Sequence, residues 1–160
     1  MTMDYMALAV ETMHGKEDAP DPPVGALLRI GNQVQGVDCN RIVTRKSLLA
    51  HAESSLLFAH SEPLFRAFLQ KPRQEVVIYT TLEPCLLCTA AAAHSRVSRI
   101  VYACRDPMAG CAAHVPPDGW YRSVWPVLEH DPAYEAEVAE AIYKRMGGRG
   151  PLAAAVKPLF

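Results

Sequence analysis

A mixed α/β fold with one sheet covered on both faces is what this sequence predicts. Three observations lead there. Helical and strand patterns alternate along the chain after an opening hairpin. Half of the residues are hydrophobic, enough for one sizeable core. The length of 160 residues is the usual size of a single domain.

The elements follow in order. Met3, Met6, Ala7, Val10 and Met13 recur at helical spacing, which predicts a first helix over about residues 2–14. Residues 18–23 form a Pro- and Asp-rich loop. Residues 24–30 read as a strand, Gly31-Asn32 as a tight turn, and residues 33–37 as its antiparallel partner. Residues 39–49 form a loop carrying Arg41, Arg45 and Lys46. Residues 50–69 read as helix, with Pro63 the point at which it divides. A short β-branched strand over 75–80 precedes a small Ala-rich helix over 85–95, and another strand covers 99–104. Pro and Gly punctuate a loop over 106–119. Residues 123–128 read as a last strand, placed at an edge by Pro126. Tyr134, Val138, Ile142 and Met146 define a terminal helix over 133–146, stopped by Gly147 and Gly148. Residues 1–148 are thus one domain and 149–160 a loosely held tail. No internal repeat is present.

Sixteen Lys+Arg against 17 Asp+Glu leave a formal charge of -1, which supplies no global pull toward phosphate backbones. No apolar run of about 18 residues predicts a membrane span. The N-terminus lacks the basic-then-apolar pattern of a secretory signal. Five cysteines, two of them in C-x-x-C, favour a metal or reduced thiols over a disulfide framework. A cytoplasmic protein is expected.

Two segments carry chemistry. His51-Ala52-Glu53 and Pro84-Cys85-Leu86-Leu87-Cys88 together offer one imidazole, two thiols and one carboxylate. Three protein ligands leave a tetrahedral zinc with one open position for activating water. The carboxylate beside the histidine is then free to move protons. Both segments fall where a helix is expected to begin, and a helix N-terminus favours thiolates at Cys85 and Cys88. Pro84 suits such a start. The order H-x-E then P-C-x-x-C is the pattern of zinc deaminases of nucleobases. Their electrophile is the amino-bearing carbon of a cytosine or purine ring; a carboxylate such as Glu53 carries the water's proton to the ring nitrogen and then to the departing amine. A zinc ribbon would need a second cysteine pair, and Cys39, Cys104 and Cys111 are not spaced as one. A redox dithiol would leave His51-x-Glu53 unexplained.

The chain resembles the cytidine-deaminase-like superfamily, in the branch of bacterial tRNA adenosine deaminases, guanine deaminases and fungal-type cytosine deaminases. Beyond the two zinc segments, the likeness includes Pro23-Val24-Gly25-Ala26, Asn40-Arg41, Thr81-Leu82-Glu83, His94-Ser95-Arg96, Arg105-Asp106-Pro107 and Ala109-Gly110-Cys111. It implies a three-layer α/β/α fold with a five-stranded mixed sheet, usually assembled as a dimer or larger, with a homodimer expected here. It implies His51, Cys85 and Cys88 as zinc ligands and Glu53 as proton shuttle. Asn40, the backbone N–H near Ala52 and the carbonyl of Leu82 are implied as substrate contacts. The chain departs from the family at Ser47-Leu48-Leu49-Ala50, where relatives often carry Asp-Pro-Thr, and throughout the stretch after Cys111.

Trp120, Tyr121 and Trp125 fall in the segment that relatives use to close over substrate. Trp120 is taken as a base-stacking contact, against core packing as the plain alternative. Cys111 and His114 lack the further ligands a second zinc site needs, so a buried cysteine and a surface histidine are expected. Cys39 and Cys104 are expected in the core. Arg41, Arg45 and Lys46 read as solvated charges. Glu83 reads as a structural carboxylate near a helix N-terminus, and His94 as a structural residue at a helix end.

The leading expectation is a zinc-dependent hydrolytic deaminase of a small amino-heterocycle, with guanine-like or other purines ahead of cytosine. The alternative is adenosine-to-inosine editing of tRNA, which no basic cluster in the sequence supports. A third reading, from a different class, is a non-catalytic zinc-binding module; Glu53 speaks against it, because a structural site closes zinc with four protein ligands.

Overall fold

The structure, a computed structural model, describes residues 3–15 and 19–145. Strand β1 (Gly25–Ile30) pairs antiparallel with β2 (Gln33–Cys39) on one side and with β3 (Val76–Leu82) on the other. β3, β4 (Arg99–Cys104) and β5 (Val127–His130) run parallel, so the five-stranded mixed sheet has the order β2-β1-β3-β4-β5. Parallel neighbours need crossovers. Helix α4 (Leu86–His94) joins β3 to β4, and α5 (Gly119–Val124) lies between β4 and β5. Helix α1 (Tyr5–His14) opens the fold, α2 (Ala52–Ala59) and α3 (Ser61–Leu69) connect β2 to β3, and α6 (Glu135–Arg145) ends it.

Side chains on a strand alternate between faces, and the two faces of this sheet collect two separate cores. Ala26, Leu28 and Ile30 of β1 pack with Leu56 of α2, Leu64 of α3 and Ala92 of α4. Leu27 of the same strand packs with Met6 and Met13 of α1 and with Val138 and Ile142 of α6. These are the three α/β/α layers. Close seating of α1 requires Gly25, where a Cβ would stand 2.2 Å from the Ala9 carbonyl oxygen.

Several boundaries differ from the sequence expectation. α1 starts only at Tyr5, because Asp4 caps it by accepting from the Ala7 N–H at 3.0 Å. The long helix divides at His60, not at Pro63; Pro63 sits in the first turn of α3, where no N–H is needed. Pro84 lies one residue before the cap of α4. The strand expected over 123–128 is replaced by α5 followed by β5. Pro126 has no donor for a ladder, so pairing begins at Val127. Trp120 and Tyr121, at the start of α5, pack their rings on His94 of α4. β5 still forms an edge of the sheet. A 3₁₀ turn (Pro132–Tyr134) takes the start of the expected terminal helix. The expected stop at Gly147-Gly148 and the tail over 149–160 lie outside the described residues. Among the described residues no helix is long and apolar enough to cross a membrane.

Candidate active site

Both motifs sit at helix starts: His51 is the N-cap of α2 and Cys85 the N-cap of α4. N-caps are ordinarily Ser, Thr, Asp or Asn, whose side chains bond the first free N–H groups. Neither His51 nor Cys85 does so. Their side chains turn toward each other instead. His51 Nδ1 is 3.6 Å from Cys85 Sγ and 3.6 Å from Cys88 Sγ. The three donor atoms all lie within 4.8 Å of one another. A tetrahedral zinc with Zn–S of about 2.3 Å and Zn–N of about 2.0 Å holds N and S about 3.6 Å apart. The spacing therefore fits zinc, and so does the mixture of imidazole and thiol. Three such ligands leave a fourth position for a reacting molecule.

The electrostatics follow from the same contacts. Hydrogen bonding from Cys88, joined by His51, outweighs burial and lowers the Cys85 thiol to about 4. Cys88 is pushed up by its contact with Cys85 and by its own burial. Hydrogen bonding to Cys85 raises His51. Glu53 is 4% exposed. Its Oε1 accepts from Thr80 Oγ1 at 2.9 Å, and its Oε2 meets Cys88 Sγ at 3.5 Å. Burial raises its carboxyl above the ordinary range. A carboxyl with raised proton affinity, beside three metal-ligand atoms, is suited to proton transfer.

A pocket of ≈ 210 Å³ opens onto this cluster, lined by Asn40, Ile42, His51, Glu53, Leu82 and Asp106 among others. Asn40 and Leu82 are thus brought to the site. The Asn40 oxygen accepts from the Ile42 N–H at 3.0 Å, which fixes the side chain at the pocket. Ala52 is fully buried as the first residue of α2. Trp120 is not brought to the pocket. Its ring lies 4.9 Å from that of His94, and Arg96 stands 5.0 Å from its centre. These contacts are at the far end of α4 from Cys85, a helix length of about 14 Å away. The sequence alone could not show that this segment is a helix turned toward α4. Cys39, Cys104 and Cys111 are buried, and His114 is exposed, as expected. Arg41 pairs with Asp38 at 2.6 Å.

Two carboxylates hold the loops around the pocket. Asp21 accepts from the N–H groups of Val43 at 2.6 Å and Thr44 at 3.0 Å, and from the Thr44 hydroxyl. Arg145 donates to the carbonyls of Ala19 at 2.8 Å and Asp21 at 3.1 Å. Glu83 accepts from the N–H of Asp106 at 3.0 Å and of Ala112 at 2.8 Å. It is structural as expected, but it fastens a loop. A Cβ at Gly110 would stand 2.3 Å from Glu83 Cδ, so the loop can close over this carboxylate only with glycine there. Asp21 escaped the sequence reading because its partners are backbone groups remote in the chain. The glycine in Ala109-Gly110-Cys111 was a visible sign of the second contact.

Comparison with known proteins agrees with this geometry. The tRNA-specific adenosine deaminase of Bacillus subtilis (strain 168) is 31% identical over 114 residues, which cover 70% of this chain and 68% of that protein. A structure from a study of A-to-I editing by tRNA:A34 deaminases superposes with a TM-score of 0.66 at 26% identity, covering 79% of this chain and 96% of its own. The guanine deaminase of Nitrosomonas europaea shares the fold, with a TM-score of 0.70 at 17% identity over 89% of this chain and 83% of its own. Residues 2–104 match the family described as the cytidine and deoxycytidylate deaminase zinc-binding region. With that match and a His/Cys/Cys cluster of the right spacing, the chain belongs to this family of zinc-dependent deaminases.

Proposed function

We propose that the chain hydrolyses the exocyclic amino group of a purine-type heterocycle, releasing ammonia and leaving a keto base. The single observation that carries the reading is the buried Glu53 carboxyl beside the three ligand atoms His51 Nδ1, Cys85 Sγ and Cys88 Sγ. Zinc held by these three residues supplies a Lewis acid that activates water near neutral pH. Glu53 takes a proton from the attacking water and passes it to the ring nitrogen next to the reacting carbon. It then takes the second proton, from the hydroxyl now on the reacting carbon, and delivers it to the departing amine as the keto group forms. Thr80 holds one Glu53 oxygen by its 2.9 Å bond, and the other faces the ligand cluster, 3.5 Å from Cys88 Sγ. Asn40, the Ala52 N–H and the Leu82 carbonyl orient the ring.

The pocket volume of ≈ 210 Å³ lies below the roughly 300–1,000 Å³ of sites for drug-sized ligands. It suits a single ring system, either free or turned out of a strand. The second reading is therefore an adenosine within tRNA, favoured by the name of the Bacillus subtilis relative at 31% identity. A homodimer belongs to the proposal too. Leu48, Leu49, Phe58, Leu86 and Leu87, on α2, α4 and the loop before α2, are all exposed, and light scattering measures whether they are covered by a second copy.

The deciding experiment is a panel of guanine, adenine, adenosine, cytosine and a tRNA anticodon stem-loop, followed by ammonia release and inosine formation. Release from a free purine that Glu53→Ala abolishes without loss of zinc supports the first reading. Turnover confined to the stem-loop, with steep salt dependence, supports the second. Retained turnover in Glu53→Ala removes the mechanism.

A further inference from the structure

The run His94-Ser95-Arg96 plays no part in the pocket, because it lies at the opposite end of α4. Arg96 closes that helix in an unusual way. Its N–H donates to the Ala93 carbonyl at 3.1 Å, and the Val97 N–H donates to the Ala92 carbonyl at 3.0 Å. This pair of bonds is a Schellman cap, whose left-handed position ordinarily belongs to glycine. Arg96 occupies that position with φ +61°. A long side chain kept where the backbone prefers none is a sign that the side chain is wanted.

The guanidinium is held between two rings. Its Cζ is 5.4 Å from the centre of Phe68 and 5.0 Å from that of Trp120. Arg73 stands 4.8 Å from the same Phe68 ring. Nearby arginines are neutralised: Arg66 by Glu62, and Arg99 by Glu75 and Glu129. Among the described residues Arg73 and Arg96 reach no carboxylate. Together with Ser98, Ser123 and Trp125 they line a concavity of ≈ 190 Å³ to which no acidic side chain contributes. The Ser98 oxygen accepts from the Val76 N–H at 3.2 Å, which leaves its O–H free to donate. Two guanidinium groups and a hydroxyl form a donor set whose natural complement is an anion with several oxygens. Beside it, Trp120 and Tyr121 are exposed and offer ring faces on which a heterocycle can stack.

We propose that the Arg73–Arg96 concavity binds the phosphoryl group of a nucleotide, at a site separate from the deaminase pocket. The phosphoryl group has two sources, a free mononucleotide or a residue within an RNA strand. The proposal does not rest on the deaminase reading, since the two sites share no residue.

Trp120 and Trp125 are the chain's two tryptophans; Trp125 lines the concavity and Trp120 stands against Arg96, so intrinsic fluorescence of the zinc-loaded protein reports on it. The titrants are inorganic phosphate, adenosine 5′-monophosphate and a short single-stranded RNA without terminal phosphates. Saturable binding of the mononucleotide, displaced by inorganic phosphate, assigns the free ligand. Binding of the RNA alone, falling with salt, assigns the strand. In either case Arg73→Gln and Arg96→Gly should each weaken binding at least about ten-fold, as expected for a lost charge-assisted contact. Arg96→Gly also suits the left-handed backbone, so the variant stays folded and its melting temperature serves as the control. Binding that survives both substitutions, or no saturable binding of any titrant at millimolar concentration, overturns the proposal.

Discussion

The pocket has two walls of different construction. One is built from helix ends: His51 at the start of α2 with Glu53 two residues further on, and Cys85 and Cys88 at the start of α4. The other is built from loops, residues 19–24, 40–50 and 106–112, which two carboxylates fasten through backbone N–H groups. The first wall sits on elements that the core under α2 and α4 fixes in place. The second has few buried apolar side chains and relies on a handful of hydrogen bonds. Bond-making chemistry tolerates little displacement, which suits the rigid wall. Selection among substrates is carried by loops, which can be altered without disturbing that chemistry. Breaking the first wall should therefore abolish turnover, whereas breaking the second should weaken substrate binding and stability.

The largest effect is expected at Glu53. Glu53→Gln keeps the shape and the Thr80 contact but removes the proton carrier. Loss of general acid–base catalysis should lower kcat by about 10²–10⁴-fold, with zinc content unchanged by metal analysis. Removal of zinc comes next. Chelation should end turnover and also lower Tm, because a ligand that binds only the native state contributes about 2.7 kcal/mol at one hundred times its Kd. For a chain of this length each kcal/mol is worth about 2–4 °C. An unchanged melting temperature after verified zinc loss would contradict the rigid-wall account.

The two walls also differ in how plainly the sequence displays them. His51-x-Glu53 and Cys85-x-x-Cys88 are local patterns, and their ligand chemistry dictates the spacing. The helix starts that carry them follow from the flanking apolar periodicity, so the order of elements and the mixed sheet were legible as well. The loop wall was not. Asp21 and Glu83 act on backbone groups far away in the chain, and any residue type supplies a backbone N–H. Trp120 failed for a related reason. The stretch after Cys111 departs from the family's pattern, and only the fold shows that Gly119–Val124 forms a helix against His94.

At the loop wall, Glu83→Ala leaves the N–H groups of Asp106 and Ala112 without their acceptor. That should cost about 1–3 kcal/mol, read by urea denaturation. KM should rise more than kcat falls, because the loop over 106–112 borders the pocket while the ligand atoms stay put. A fall in kcat alone, with KM and zinc content unchanged, would move Glu83 from the loop wall into the chemistry.

Asp21 gives the smallest effect and the most specific one. Burial acts to raise its carboxyl, but hydrogen bonds from Thr44 and Val43 and the charge of Arg41 outweigh it, and the net shift is downward. A carboxylate depressed in the folded state contributes stability above its unfolded pKa of about 3.9. That contribution is lost as pH falls through the lower folded value. Asp21→Asn retains an acceptor but cannot titrate, so its stability should vary less with pH below about 4 than that of the parent chain. Near neutral pH the variant should be modestly less stable, with KM raised and kcat nearly unchanged, since Thr44 and Val43 lie on the same loop as Asn40 and Ile42. Denaturation curves at a series of acidic pH values measure the difference. Identical pH profiles for the two proteins would mean that the loop is held by something other than the Asp21 charge.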